Sequence, residues 1–280
     1  MSLIFSMPGK IGDALHQFPV VHAYCKQNDV RATLWLDENT LKPLVNLFAC
    51  QPCVEAVELK GGITSYHMGG QPWNFDLKTS EHAGHEIHHL GMRAFPTRQI
   101  TLETCDQVPL NIDIPKTSAC MVIPGDAVAS DVPRLLLHGT FTTHASGVPG
   151  FWRFLADRQK EFSSIYGSEI YFTGTPGERR RARELYPDWR DFDDGGDFLN
   201  LARFMATASL VVGAGSSNVV LAGVLGIPSV RVHDPIGQHP RVIWSNLGPD
   251  QINETEADMR GEIFQIPGRK TGLVVAVTAP

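Results

Sequence analysis

Residues 208–232 constrain the fold more than any other stretch, because they combine a strand, a tight turn and a helix in one short segment. The apolar run 210–212 predicts a buried strand, and the small residues 213–215 predict a turn. Residues 216–218 offer N-cap side chains to a helix, and residues 229–232 predict the next strand of a βαβ unit. Because free N–H groups at a helix start favour anions, the segment predicts either a phosphate-sized site or only a tight turn.

The rest of the chain alternates strands and helices in two successive series. Apolar runs predict strands at 3–5, 32–36, 54–59, 135–137 and 170–172, with helices starting near residues 13, 41, 151, 176 and 198. This alternation is typical of doubly wound parallel sheets, so the predicted fold class is α/β. A predicted linker at 110–118, with Pro109 before it and Pro115 within it, separates a predicted N-terminal domain, residues 1–117, from a C-terminal domain, residues 118–280.

Histidine is concentrated between the two series. The Gly-, Pro- and aromatic-rich stretch 61–115 predicts functional loops around one helix over residues 81–93. On that helix His82, His85 and His89 would share a face, and the last two have the i, i+4 spacing of a metal-binding pair. No carboxylate or cysteine stands in an obvious third position, so a polar or substrate-contacting face is favoured over a metal site.

The composition excludes several classes of protein. The 280-residue chain has a net charge of −6 and a pI near 6.0, and thus no overall basic field for non-specific nucleic-acid binding. Its five cysteines are odd in number and scattered, which favours reduced structural thiols, including the lone C-x-x-C pair Cys50 and Cys53. The N-terminal apolar run is too short for a signal peptide and no apolar stretch could span a bilayer, which predicts a cytoplasmic protein.

Three stretches together resemble one family. Residues 12–21 match the pattern G-D-x-x-H-x-x-P, residues 173–178 match G-x-P-x-E, and residues 199–232 follow a long signature that ends in A-x-x-x-G-x-P. These patterns resemble those of the glycosyltransferases of family 9, the ADP-heptose:lipopolysaccharide heptosyltransferases and their relatives. The resemblance covers residues 1–60 and 135–235, and it implies a GT-B architecture in which two Rossmann-like domains face across a cleft.

The resemblance implies an inverting, metal-independent transfer of a sugar from a nucleoside diphosphate to an acceptor hydroxyl, without a cofactor. Asp13 would be the general base, although an aspartate in a first helical turn also suits simple dipole stabilisation. The N-terminal domain would bind the acceptor and the C-terminal domain the donor. The implied donor-binding residues are Gly12, Thr140, Thr142, Glu178, Gly215, Ser216, Ser217 and Asn218. The candidate acceptor-binding residues are Lys10, His16, His85 and His89.

The chain departs from the family pattern at the predicted diphosphate site. Where the family reads D-S-G-x-x-H, residues 215–220 read G-S-S-N-V-V, and the usual lysine before Trp152 is missing. Arg153, His144 or Arg231 are candidate replacements for the lost cation. The sequence leaves the nucleobase of the donor sugar nucleotide undetermined. It also leaves the acceptor open among a lipopolysaccharide core, another glycan and a modified nucleobase. A non-catalytic nucleotide-sugar-binding protein and a nucleotide-sugar epimerase are the alternatives.

Overall fold

The computed structural model describes residues 2–61, 63, 78–82, 84–90, 120–125, 131–139, 148–214, 217–233, 241–245, 255–257, 263–265 and 274–276. The chain divides into two compact units, the first formed by Met1–Gly125 with Gly196–Ala202 and the second by Asp126–Gly195 with Arg203–Pro280. Within the first unit, Asn46 Nδ2 donates a hydrogen bond of 2.7 Å to Asp197. Of the helices described, none combines the length and apolarity needed to cross a membrane.

The first unit is built on a mainly parallel sheet. Its elements are β1 Ser2–Met7, α1 Ile11–Asn28, β2 Ala32–Asp37, a 3₁₀ turn Lys42–Leu44 leading into α2 Val45–Ala49, β3 Val54–Lys60, β4 Lys78–His82 and β5 His85–His89. The strand order is β3-β2-β1-β5-β4, with β4 antiparallel to β5 and the other pairs parallel. The predicted strands and helices of residues 1–60 are confirmed.

Helix α1 covers this sheet with one apolar face. Leu15, Phe18 and Cys25 are each at most 2% exposed. Phe18 also stacks on Phe48 of α2, with 5.1 Å between ring centroids. Burial of each large apolar side chain contributes about 1.5–3 kcal/mol, so this face fixes α1, and with it the loop between β1 and α1, against the sheet.

The predicted helix over residues 81–93 is wrong, because this region contains the antiparallel hairpin of β4 and β5. Strand β5 pairs in parallel with β1, a partner more than eighty residues earlier in the chain (Ser2 faces His85), and this distant pairing overrides the local helical spacing. His82 falls on β4, and His85 and His89 fall on β5, where residues four apart lie about 13 Å from each other. The two histidines therefore lack the helical spacing of a metal-binding pair.

The second unit repeats the βα alternation. Its elements are β6 Leu135–His138, α3 Val148–Tyr166, β7 Ile170–Thr173, α4 Pro176–Leu185, β8 Arg190–Asp191, α5 Phe198–Met205, β9 Leu210–Ala214, α6 Ser217–Val224, β10 Ser229–His233, β11 Arg241–Ser245, β12 Thr255–Ala257, β13 Ile263–Gln265 and β14 Val274–Ala276. Helix α5 starts in the part of the chain assigned to the first unit. The main sheet has the order β12-β11-β10-β9-β6-β7-β8, and β13 pairs with β14. The five neighbouring strands β10, β9, β6, β7 and β8 are parallel to one another, which confirms the predicted α/β class.

Aromatic side chains fill the core of the second unit. Trp152 of α3 stacks on Phe172 of β7 at 5.5 Å between centroids, and Tyr186 stacks on Trp189 at 4.2 Å. Phe151, also on α3, is fully buried against the same core. These contacts, each of about 0.5–1.5 kcal/mol beyond burial, fix α3 and α4 against the sheet and thereby set the start of α4 at the end of β7.

Candidate active site

Both sheets have a topological switch point, where the strand order reverses. In the first sheet the chain moves outward from β1 to β3 and returns to the other side of β1 as β5. In the second it moves outward from β6 to β8 and returns to the other side of β6 as β9. Ligands of open α/β sheets bind outside the carboxyl ends of the strands at such points. The carboxyl ends of β1 in the first unit and of β6, β7 and β9 in the second therefore mark one candidate site in each unit.

Asp13 lies in the first turn of α1, directly after the loop that follows β1. Its side chain is partly exposed, and Oδ2 accepts a hydrogen bond of 2.8 Å from the backbone N–H of Lys10. This bond satisfies one N–H group of the helix start and fixes the carboxylate. Gly12, beside it, leaves the approach free of a side chain. The first unit thus holds an accessible carboxylate at the carboxyl edge of β1, as a general base requires.

Side chains from elsewhere in the unit hold the loop between β1 and α1. The buried amide of Gln17 donates to the carbonyl of Pro8 at 3.1 Å. The hydroxyl of Thr40 lies 3.0 Å from the carbonyl oxygen of Gly9. Asp37, at the end of β2, accepts a hydrogen bond of 2.9 Å from the backbone N–H of Thr40 and so fixes the turn that carries it. Motif patterns did not select Thr40 or Asp37; the signal available was that Asp37 ends a parallel strand.

Replacing Gly9 by alanine should destabilise this loop. Gly9 has a φ of +105°, which residues with a side chain rarely adopt, and a Cβ added there would lie 2.7 Å from Asp13 Oδ2. We expect the free energy of unfolding, measured by urea denaturation, to fall by about 1–3 kcal/mol. Gly84→Ala is the matched control, because Gly84 has a φ of +80° with open space around an added Cβ. Equal losses in the two variants would show that the contact with Asp13 adds nothing.

The structure separates the four candidate acceptor-binding residues, Lys10, His16, His85 and His89. Lys10 is exposed at the start of α1, and the backbone of His89 ends β5 at the same edge of the sheet. His85 begins β5 at the opposite edge, where its Nδ1 hydrogen-bonds the hydroxyl of Ser2. His16 lies within α1, and its side chain and that of His89 are outside the described part of the structure. Acceptor binding by these residues stays a prediction.

Glu178 lies in the first turn of α4, after the loop that follows β7. It is 7% exposed, and its Oε2 accepts hydrogen bonds from the N–H and the hydroxyl of Thr175 at 2.8 and 2.9 Å. Gly174 has a φ of +145°, and an added Cβ would lie 2.8 Å from the same oxygen. The loop is thus shaped around a carboxylate that caps α4 at the carboxyl edge of β7.

The start of α6 is where the sequence predicted either an anion site or only a tight turn. Ser217 and Asn218 form its first turn after β9; Asn218 is 3% exposed, and its Oδ1 accepts a 3.3 Å hydrogen bond from the Ser217 hydroxyl. The N–H groups of this turn and the helix dipole favour a negative ligand. Arg153 is exposed on α3. The remaining predicted residues, Thr140, Thr142, His144, Gly215 and Ser216, and the side chain of Arg231, lie outside the described residues.

His138, which no sequence motif singled out, lies between β7 and β9 at the carboxyl ends of the parallel strands of the second sheet. It ends β6 and is paired in register with Thr173 of β7 and Gly213 of β9. Burial lowers the pKa of His138 to about 4, and the nearby Glu178 carboxylate opposes this effect only in part. At neutral pH the edge therefore places a neutral imidazole near the Glu178 carboxylate. The signal that could have found it is a histidine at the end of a fully apolar strand.

The native state should lose stability in acid through His138. Histidine titrates near pH 6.5 in an unfolded chain, whereas the pKa of His138 in the folded protein is about 4. The unfolded chain therefore takes up this proton first. The stabilisation that comes from keeping His138 neutral is fully present above about pH 6.5. As the pH falls towards 4 it is lost progressively, and the free energy of unfolding decreases by a total of about 3 kcal/mol.

Urea denaturation of wild type and of His138→Gln between pH 7 and pH 4 measures this contribution. The variant should show a shallower decline in the free energy of unfolding over that range, with the difference concentrated between pH 6.5 and 4. The remaining carboxylates and histidines titrate in both proteins and cancel in the comparison. Parallel pH profiles would contradict the buried neutral state of His138.

Comparisons with known proteins bear on the fold. No protein-family model and no curated protein sequence matches the chain. Several solved structures are similar to it over most of its length, among them the three described here. E. coli heptosyltransferase WaaC with ADP-2-deoxy-2-fluoro heptose has a TM-score of 0.53 at 14% identity, over 85% of this chain and 91% of that one. A glycosyl transferase of family 9 from Veillonella parvula has a TM-score of 0.55 at 12% identity, over 81% of this chain and 79% of that one.

The third structure is E. coli ADP-heptose lps heptosyltransferase II, with a TM-score of 0.52 at 9% identity, over 83% of this chain and 85% of that one. At such low identities the likeness concerns the fold. It extends through both α/β units, since the shared portion exceeds four fifths of the chain in each case. The GT-B type of fold that the sequence resemblance implied is therefore confirmed.

Proposed function

We propose that the chain is an inverting, metal-independent glycosyltransferase that moves a sugar from a nucleoside diphosphate to an acceptor hydroxyl, with Asp13 as general base. The observation that carries this proposal is the position of the Asp13 carboxylate. It lies in the first turn of α1, at the carboxyl edge of the switch-point strand β1. Its loop favours a glycine at position 9, both because φ there is +105° and because an added Cβ would lie 2.7 Å from this carboxylate. A nucleotide-binding protein without catalysis would not require a fixed carboxylate there.

The proposed chemistry is a single displacement. The Asp13 carboxylate takes the proton of an acceptor hydroxyl while the acceptor oxygen attacks the anomeric carbon, and the bond from that carbon to the diphosphate breaks. Attack opposite the leaving group inverts the anomeric configuration. A correctly placed base contributes about 10²–10⁴-fold to the rate of such a step.

The leaving diphosphate needs stabilisation as its negative charge develops. The N–H groups at the starts of α4 and α6 supply positive ends of helix dipoles at the carboxyl edge of the second sheet. This arrangement supports a reaction in which a metal ion is not the main source of positive charge. Glu178, buried at the start of α4, is proposed to accept a hydrogen bond from a ribose hydroxyl of the donor.

The donor panel that tests the proposal starts with adenosine diphosphate sugars, because two of the similar structures are named for ADP-heptose or hold an ADP-heptose analogue. UDP, GDP and CMP sugars complete the panel. Thermal stabilisation reports binding, release of free nucleotide reports turnover, and NMR of the product reports its anomeric configuration. Turnover with inversion is the expected result.

Two other results would each replace the proposal. Stabilisation by a donor without any release of nucleotide, in the presence of glycan and lipid-core acceptors, would favour a non-catalytic nucleotide-sugar-binding protein. The departure of residues 215–220 from the family pattern supports this alternative. Conversion of the donor into an isomeric nucleotide sugar would instead identify an epimerase.

A further inference from the structure

Two successive peptide units connect the end of β1 to the N–H group that holds Asp13. The first joins Pro8 to Gly9, and both of these residues are buried. The second joins Gly9 to Lys10, whose N–H donates the 2.8 Å hydrogen bond to Asp13 Oδ2. A peptide unit is planar, so a bond to its carbonyl oxygen also fixes the direction of its N–H. The orientation of the Asp13 carboxylate therefore depends on the groups that hold these two carbonyls.

A buried glutamine holds the first peptide unit. Gln17 lies on α1 and is 0% exposed. Helix side chains point towards the helix start, which lets the Gln17 amide reach back to the Pro8 carbonyl and donate to it at 3.1 Å. Because both partners are buried, water does not replace the amide as the donor when it is removed. The unit between Pro8 and Gly9 is thus fixed from the side of the helix.

A threonine from a different turn holds the second peptide unit. The Thr40 hydroxyl lies 3.0 Å from the Gly9 carbonyl, across a separation of 31 residues. Since the Gly9 carbonyl and the Lys10 N–H belong to one plane, this hydroxyl also orients the N–H towards Asp13. Thr40 is exposed, so water competes for its hydrogen bond more than for the buried bond of Gln17.

The Thr40 hydroxyl has one proton and two oxygens within reach. Asp37 Oδ1 lies 2.9 Å away, but it already accepts hydrogen bonds from the backbone N–H groups of Asn39 and Thr40, at 3.0 and 2.9 Å. The Gly9 carbonyl is the other acceptor. The Asp37 carboxylate therefore fixes Thr40 through the backbone, and the hydroxyl proton is available to the carbonyl.

Gly9 joins the two planes and touches the carboxylate itself. A Cβ at this position would lie 2.7 Å from Asp13 Oδ2 and 2.8 Å from Asp13 Cβ, so the backbone of Gly9 already packs against this side chain. Its φ of +105° is one of the two rotations that relate the planes. Rotation of either plane would therefore move the surface against which Asp13 packs and the N–H to which it is bonded.

We propose that Gln17 and Thr40 are positioning residues for the reaction: they fix the two peptide planes that orient the Asp13 carboxylate towards the acceptor hydroxyl. The kinetic part of this inference rests on the proposed function of Asp13. A general base acts only within hydrogen-bond reach of the proton that it takes, and a misplacement of about 1 Å can cost about 10²-fold in rate. Neither residue has to touch the substrate for this effect.

Gln17→Met is the principal test, because methionine fills the space of glutamine and leaves the Pro8 carbonyl without its donor. We expect kcat for sugar transfer to fall by about 10–100-fold through misplacement of the base. The Kd of the donor should stay within about twofold of wild type, since the proposed donor site lies in the second unit. Steady-state transfer and donor titration measure the two quantities.

Gln51→Met is the matched control. Gln51 is also a buried glutamine of the first unit, 2% exposed, and its amide donates to the carbonyls of Leu47 and Val122 at 2.8 and 2.9 Å. The same substitution there should lower the free energy of unfolding at least as much as at Gln17, because more hydrogen bonds are lost. It should leave kcat at the wild-type level, since neither carbonyl belongs to the loop before α1.

A pair of variants at Thr40 separates its hydroxyl from its packing. Thr40→Val removes the hydroxyl at constant shape and should lower kcat by about 3–10-fold, the scale of one partly exposed hydrogen bond. Thr40→Ser keeps the hydroxyl and should restore the rate to within about twofold of wild type. A rate that depended only on the packing of the side chain would show the opposite order.

Hydrogen exchange of the Lys10 amide tests the same positioning without any substrate. The bond to Asp13 Oδ2 protects this N–H, so its exchange, followed by NMR, should become about 3–10-fold faster in Gln17→Met and Thr40→Val. It should remain at the wild-type rate in Gln51→Met.

The proposal is overturned by wild-type kcat in Gln17→Met, by an equal loss of kcat in Gln51→Met, or by unchanged Lys10 exchange in Gln17→Met. Failure of the proposed function gives a different result, in which the wild-type protein transfers no sugar from any donor. In that event Lys10 exchange alone decides whether Gln17 and Thr40 position Asp13.

Discussion

Replacing Asp13 by asparagine is expected to lower kcat for sugar transfer by about 10²–10⁴-fold, because the amide cannot accept the proton of the acceptor hydroxyl. The asparagine oxygen can still accept the 2.8 Å hydrogen bond from Lys10 N–H, so the loop should keep its conformation. The Kd of the donor should change little, since the lost proton acceptor acts on the acceptor substrate. Steady-state transfer and donor titration, with the donor identified by the panel, separate these two effects.

Asp29→Asn is the matched control for this variant. Asp29 ends the same helix in a left-handed conformation, with a φ of 51°, which asparagine adopts at least as readily as aspartate. The two substitutions make the same chemical change at opposite ends of α1. If the Asp13 variant transferred sugar as fast as the Asp29 variant, with equal unfolding free energies, Asp13 would be a helix-start carboxylate and not the base.

Replacing Glu178 by glutamine should weaken donor binding by about 10–100-fold, because a hydrogen bond to a charged group contributes about 1.5–3 kcal/mol. Glutamine can still accept the two bonds from Thr175, as it does in capping boxes. The free energy of unfolding should therefore fall by no more than about 1 kcal/mol. Calorimetric titration with the nucleoside diphosphate measures the affinity, and urea denaturation measures the stability.

The comparison variant is Glu184→Gln, which lies on the same helix α4. The Glu184 carboxylate pairs with Arg181 at 2.9 Å on the exposed surface, where such pairs contribute little. It should leave both the affinity and the stability near wild type. Wild-type donor affinity in the Glu178 variant, combined with a loss of stability, would assign Glu178 to helix capping alone.

Sequence patterns predicted most of the fold because the decisive signals were local. Strands such as β6 and β9 are short apolar runs, and each is followed along the chain by a helix. The histidine-rich region was predicted wrongly for the opposite reason. Its strand β5 exists through pairing with β1, and no local pattern of His85 to His89 carries information about that partner.

The same distinction between local patterns and distant pairing applies to the residues of the candidate sites. Asp13 and Glu178 could be selected because each follows a strand in a recognisable motif. Thr40 could not, because its contact with Gly9 depends on the register of β1 against β2, across a separation of 31 residues. His138 could not be linked to Glu178 either, since their proximity follows from the pairing of β6 with β7.

The return of Gly196–Ala202 to the first unit imposes an order on the biosynthesis of the chain. During translation, the strands β6, β7 and β8 of the second unit leave the ribosome before the first unit has received its last segment. The hydrogen bond between Asn46 and Asp197 can form only at that stage. Domains of a nascent protein commonly fold one after the other, but here the first unit can be completed only after strands β6 to β8 of the second have been synthesised.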